Sequence, residues 1–281
     1  MSQTEAEQIT HASKSNLALA FFVLPEDRRR DISVFYAYCR VIDDIADDPA
    51  VPVFERQQAL DRWKESISSP VAIPNEPALA ATVRELIGKY RLPTDYFLEI
   101  IAGCEMDLAE VEYETWADLE KYCYRVASVV GLISIEIFGC RDPACRQYAI
   151  DLGLALQITN IVRDVGQDYT NEKRIYLPRE EMRRFNYSVE DLAAGRRNEA
   201  FLNLMNFQAE RAHGYYRKAR AELPKTERRS TTAAEIMRAI YQTLLNQMQR
   251  SGFPVFEQRC RLNKFQKTLC IARVLLGRFR R

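Results

Sequence analysis

Apolar residues in this chain recur at i, i+3, i+4 and i+7 through long stretches, and its prolines stand between those stretches or at their first residue. A 3.6-residue period puts such side chains on one helical face, while a proline can open a helix but not run through one. The spacing predicts helices over 28–47, 54–68, 78–90, 94–111, 116–138, 143–166, 197–222, 231–250 and 263–278. No segment alternates with the two-residue period of a strand. Ser and Pro cluster between Ile67 and Pro77, but apolar helices resume on both sides without a change of composition, and no internal repeat appears. The expectation is one all-α domain over residues 1–281.

Several chemistries are poorly supplied. The 40 Lys+Arg balance 39 Asp+Glu, which leaves no broad basic face for nucleic acid. No two glycines lie two residues apart, which excludes the dinucleotide turn and the phosphate loop. The only histidines are His11 and His213. Glu210 and His213 form the E-x-x-H element of helical di-iron sites, but Gln8 stands in the corresponding place before His11, so a solvated or capping histidine is expected. Seven cysteines, odd in number and without a C-x-x-C pair, are expected to be buried reduced thiols, neither disulfides nor a zinc site. The opening MSQTEAEQIT carries two acids and no apolar stretch, and no run approaches about 20 apolar residues, so the expectation is a cytoplasmic protein that does not span a membrane.

Carboxylates are where chemistry gathers. Arg40-Val-Ile-Asp43-Asp44-Ile-Ala-Asp47-Asp48 closes a helix, with Asp43 and Asp47 on one face. Like charges at i, i+4 and acids near a helix C-terminus are both unfavourable, so this cluster needs a cationic partner or is a solvated helix end before Pro49. A second set, Gln157, Asn160, Asp164 and Asp168, recurs at spacings of 3, 4 and 4 on a helix otherwise rich in Leu, Ile and Val. A buried amide and carboxylate stripe requires partners. Two aspartate pairs facing each other would hold hard divalent cations through oxygen, with phosphate oxygens completing the shell: a magnesium-diphosphate site. Downstream, Asn171-Glu-Lys173-Arg174-Ile-Tyr176-Leu-Pro178 offers cations and a phenol for a phosphate, or else is a charged loop between helices.

At these residues the sequence resembles the squalene/phytoene synthase family, the head-to-head trans-prenyltransferases, along nearly the whole chain. The matching motifs include Ser13-Lys-Ser15-Asn16, Leu24-Pro25-Glu26, Tyr36-Ala-Tyr-Cys-Arg40-Val-Ile-Asp43-Asp44-Ile-Ala-Asp47 and Tyr122-Cys-Tyr-Arg-Val-Ala-Ser-Val-Val-Gly131. They continue through Gln157-Ile-Thr-Asn160-Ile-Val-Arg163-Asp164-Val-Gly-Gln-Asp168 and Arg174-Ile-Tyr176-Leu-Pro178. Two D-x-x-x-D motifs about 120 residues apart, the second preceded by Q-x-x-N, are specific together.

The resemblance implies an isoprenoid-synthase helical bundle with a central cavity. It implies Mg²⁺ held by Asp43, Asp47, Asn160, Asp164 and Asp168, and catalytic roles for these four aspartates with Tyr122, Gln157 and Tyr176. Substrate contacts are implied for Ser15, Tyr36, Arg40, Gln157, Arg163, Arg174, Tyr241 and Arg259, with Arg174 favoured over Lys173. Asn16-Leu17 departs from the Ser-Phe of many relatives at the substrate entrance. The stretch from Met237 to Arg259 looks most like bacterial enzymes making presqualene diphosphate or squalene from two farnesyl diphosphates, the second product requiring NADPH. The alternative within the family is phytoene or dehydrosqualene synthesis, and outside it an inactive helical scaffold. From Arg250 to Arg281 nine Lys and Arg meet one acid, Glu257, which reads either as peripheral contact with an anionic membrane or as the solvated face of the last helix.

Overall fold

The structure is a computed structural model that describes residues 20–277. Its helices are α1 (Glu26–Asp47), α2 (Val53–Ser68), α3 (Ala80–Tyr90), α4 (Thr94–Leu108), α5 (Trp116–Cys123) and α6 (Val129–Phe138). There follow α7 (Cys145–Glu172), α8 (Arg179–Arg184), α9 (Val189–Ala193), α10 (Glu199–Glu222), α11 (Thr232–Arg250) and α12 (Lys264–Gly277). The described residues contain no strand. Pro25, Pro52, Pro93 and Pro178 each stand immediately before a first helical residue, where the missing N–H costs nothing. Polar side chains start others: Thr115 and Asp118 form a reciprocal capping box on α5, and Asn198 accepts the Phe201 N–H at 2.9 Å on α10.

Three predicted boundaries change. The stretch 116–138 is not one helix, because Tyr124–Ser128 widen into a π-helical turn between α5 and α6. That turn is squeezed between two glycines. A Cβ on Gly103 of α4 would meet Val126 Cγ1 at 2.6 Å, and one on Gly153 of α7 would meet Ser128 Cα at 2.5 Å. The second change is that α7 runs beyond residue 166 to Glu172, carrying the whole polar stripe on one helix. Lys173 then adopts a left-handed conformation (φ 58°), and the reversal brings the Arg174 N–H to the Asp168 carbonyl at 3.2 Å. The third is that two short helices, α8 and α9, stand where no helix is predicted.

The long α7 is the axis of the molecule. It lies along α10 and is flanked by α6, the π turn and α11, while α1 packs against α2, α3, α4 and α6. One contiguous apolar core runs from Ala20 to Cys270. Between α1 and α4 on one side and α7 and α11 on the other, the helices enclose a cavity of about 620 Å³.

Candidate active site

The cavity changes character along its helices. On α1 its lining passes from Ile32 and Phe35 to Arg40 and Asp43, and on α4 from Ile100 to Asp107. On α7 an apolar stretch at Gly153 and Leu156 gives way to Gln157, Asn160 and Arg163. In each case the polar residues lie toward the helix C-terminus. Three negative helix-dipole ends therefore meet a concentration of carboxylates, an arrangement that demands cations.

Arginines supply part of that demand. Arg40 donates to Asp43 at 2.9 Å and also to Asp44. Arg174 donates to Asp47 at 2.8 Å and pairs with Glu172 at 2.5 Å, tying the end of α1 to the end of α7. Lys173 turns away, its ammonium lying 4.8 Å from the centre of the Tyr169 ring. On α7, Arg163 grips Asp164 with two nitrogens, and Arg259 adds contacts at 3.2 and 3.3 Å. Asp48 instead accepts the Ala50 N–H at 2.9 Å and belongs to the turn after α1.

The supply is uneven. Asp43 opens onto the cavity but is ringed by protein, and burial, with the charge of Asp47 next in size, pushes its carboxyl up to about 7. Burial pushes Asp168 up to about 8, helped by Asp164 and Glu172. Burial would raise Asp164 as well, but its bonds to Arg163 and the charges of Arg163 and Arg259 outweigh it and hold the carboxyl below its usual range. Asn160 donates to Gln157 Oε1 at 3.2 Å, while its own Oδ1 is buried and without a partner. An orphaned acceptor beside carboxylates that resist ionisation is what a site for a hard cation leaves when the cation is not counted. The donors are all oxygen, which suits Mg²⁺ better than a soft metal.

Sequence reasoning did not single out Asp107. Its carboxylate accepts the Tyr176 hydroxyl at 2.7 Å and the Tyr122 hydroxyl at 2.9 Å, and the two rings stack with centres 5.1 Å apart. Burial raises Asp107 to about 6 against the opposing pull of Arg174. The signal was an acid on the same helical stripe as Ile100 and Cys104. Burial, reinforced by the Asp107 charge, raises both phenols, so they stay protonated.

Tyr36, Gln157, Tyr241 and Arg259 all line the cavity, and Ser15 lies outside the described residues. Several helices supply the apolar walls: α1 contributes Ile32 and Phe35, and α11 contributes Ile240 and Leu244. A branch of about 100 Å³ shares Phe21, Val130 and Ser134 with the main cavity and is lined farther in by Phe138, Tyr148 and Met237. Glu210 and His213 both bond to Gln249, at 3.4 and 3.3 Å.

The basic C-terminal segment divides in two. Arg259, Arg261, Leu262 and Lys267 line the cavity, so part of its charge faces the aspartates. Farther on, α12 buries Cys270 and exposes Phe265, Leu269 and Leu276. No helix among the described residues is long and apolar enough to cross a membrane.

Comparison with known proteins agrees with this architecture. The family profile for squalene/phytoene synthase matches residues 10–266. A phytoene synthase of Arthrospira platensis is 33% identical over 278 residues, covering 94% of this chain and 89% of that protein. A presqualene diphosphate synthase of Zymomonas mobilis is 33% identical over 260 residues, covering 91% and 87%. A crystal structure of a dehydrosqualene synthase in complex with ligand superimposes with a TM-score of 0.82 at 26% identity, over 98% of this chain and 95% of the other.

Proposed function

This chain belongs to the squalene/phytoene synthase family of head-to-head isoprenoid synthases, and we propose that it joins two farnesyl diphosphates into presqualene diphosphate. One observation carries the reading: Asp43, Asp107 and the orphaned Asn160 Oδ1 line the polar end of a cavity whose other end is apolar, and Asp47, Asp164 and Asp168 continue α1 and α7 beside that end. Asp43 and Asp47 from α1, with Asn160, Asp164 and Asp168 from α7, would hold Mg²⁺. When bound, the cations neutralise the departing diphosphate.

The chain's own groups do the rest. Arg40, Arg163, Arg174 and Arg259, bonded here to the aspartates that would hold the cations, would be free to donate N–H groups to phosphate oxygens. The C–O bond of the first substrate breaks with its electron pair leaving on diphosphate, the 2,3 double bond of the second attacks the allylic cation, and the released diphosphate takes the proton lost as the cyclopropane closes. Phe21, Phe35, Ile100, Val126, Val130 and Leu244 keep water from the cation, while Tyr36 and Tyr241 present aromatic rings to it. Asp107 fixes Tyr122 and Tyr176 as neutral phenols, so neither serves as a free base.

The presqualene diphosphate synthase among the relatives supports this reading. A second reading, phytoene-type condensation of C20 chains, is supported by the phytoene synthases among the relatives. Incubation with Mg²⁺ and either diphosphate, with and without NADPH, separates them by mass spectrometry after phosphatase treatment. Presqualene alcohol, or squalene only with NADPH, is expected; phytoene or dehydrosqualene replaces the lead reading. Absence of product from both substrates returns the chain to a helical scaffold.

The exposed Phe265, Leu269 and Leu276 of α12, beside Lys264 and Arg273, support peripheral contact with an anionic membrane. The expected result is flotation with phosphatidylglycerol vesicles but not neutral ones, reduced severalfold by Phe265→Ser with Leu269→Ser. Equal recovery with both lipids would remove this part of the reading.

A further inference from the structure

Away from the cavity, three metal-ligating side chains converge at the corner between α6 and α7. Gly139, in the left-handed region (φ 80°), ends α6, and the chain folds through Pro143 into α7. This corner brings the sulfurs of Cys140 and Cys145 together with a carboxylate oxygen of Glu227, all three atoms within 4.8 Å of one another. Cys145 is buried and Cys140 is partly exposed, which leaves a path from solvent. The sequence spacing is C-x-x-x-x-C, and the third member comes from a 3₁₀ turn (Lys225–Glu227) distant in the chain.

Glu227 is held in place rather than loosely pointing there. Its Oε1 accepts the backbone N–H groups of Arg141 and Asp142 at 2.8 and 3.0 Å, and its Oε2 accepts the Ser230 hydroxyl at 2.8 Å. Oε2 retains one acceptor position. Hydrogen bonds that orient a carboxylate in this way are the outer shell characteristic of metal ligands. A tetrahedral zinc-type ion, with metal–sulfur distances of roughly 2.3 Å and metal–oxygen distances of roughly 2.1 Å, needs only a small contraction of this triad.

We infer that Cys140, Cys145 and Glu227 bind one thiophilic divalent cation of the zinc class, with water as the fourth ligand. Two thiol protons leave for each ion bound. The sulfur donors separate this site from the all-oxygen set in the cavity, which takes a hard cation. The ion would staple the α6–α7 corner to the segment that leads into α11. Those elements carry Phe138, Tyr148, Ala149 and Ala233 around the apolar branch of the cavity.

The test is a Co²⁺ titration of reduced, chelator-treated full-length protein in excess Mg²⁺, read as near-ultraviolet thiolate-to-metal charge transfer. One equivalent of absorbing Co²⁺ is expected, lost in Cys140→Ser and Cys145→Ser. Ser230→Ala, which removes only the outer-shell bond to Glu227, should weaken binding by about tenfold. Zn²⁺ should raise the melting temperature of the wild type and not of Cys140→Ser. Because Cys140 is partly exposed, that variant carries the test if Cys145→Ser does not fold. Absence of the band in wild type overturns the inference. So does its persistence in the Cys140→Ser/Cys145→Ser double variant, which would assign it to Cys39 and Cys104 in the cavity, or the loss of two titratable thiols to a disulfide before any metal is added.

Discussion

Asp43 and Asp47 on α1 share a four-residue spacing with Asp164 and Asp168 on α7, yet the two walls carry their charge differently. On α1 each aspartate has one arginine, Arg40 for Asp43 and Arg174 for Asp47. On α7 both nearby guanidiniums, Arg163 and Arg259, converge on Asp164. Asp164 is held below its usual range, while Asp168, one turn on, is pushed up to about 8. Spacing therefore sets which residues share a face, while burial raises their carboxyls except at Asp164, where the converging arginines outweigh it. The protonated members, Asp168 and part of Asp43, are those with most to gain from a divalent cation.

The largest expected effect comes from breaking the well-compensated wall. Asp164→Asn removes a proposed metal ligand and leaves Arg163 and Arg259 without their anion, so kcat/KM should fall by on the order of 10³-fold. Unchanged far-ultraviolet circular dichroism would confirm that the fold survives. Turnover close to wild type would remove the metal-site reading.

A smaller effect is expected from the group between the walls. Asp107→Asn keeps the shape but weakens the hold on Tyr122 and Tyr176, and a loss of roughly 10- to 100-fold in kcat with little change in KM would sharpen its role as a positioning residue. A change in KM alone would instead place Asp107 in substrate binding.

The smallest effect tests the uneven charge directly. A folded-state carboxyl raised to about 8 binds protons that the unfolded chain has released, so the wild type loses stability as pH rises from about 4 to about 8. Asp168→Asn does not titrate there. Its melting temperature should match wild type near pH 4 and exceed it by a few degrees above pH 8, with the difference narrowing when Mg²⁺ is added. A gain that is the same at every pH would show that Asp168 is not the titrating group.

Much of this arrangement was legible as periodicity. Prolines before helices, apolar residues at helical spacing and the stripe from Gln157 to Asp168 require only local geometry, and local geometry is written in consecutive residues. The demand for a cation near Asp43 and Asp47 followed from the helix dipole and like-charge repulsion. The π turn did not follow, because it depends on Gly103 and Gly153 on two other helices admitting the backbone between them. Asp107 did not follow either. An acid at the end of a helix looks solvated until α5 and the segment after α7 deliver two tyrosines to it.

The sequence by itself determined an all-α chain, the two acidic stripes and their need for positive charge, since each rests on spacing within one helix. Only the tertiary structure decided which arginine answers which aspartate, that Arg174 rather than Lys173 reaches Asp47, and that Cys140, Cys145 and Glu227 share a corner. Those outcomes depend on distances between segments far apart in the chain. Electrostatic and coordinate interactions act over a few ångströms of space regardless of how many residues separate the partners.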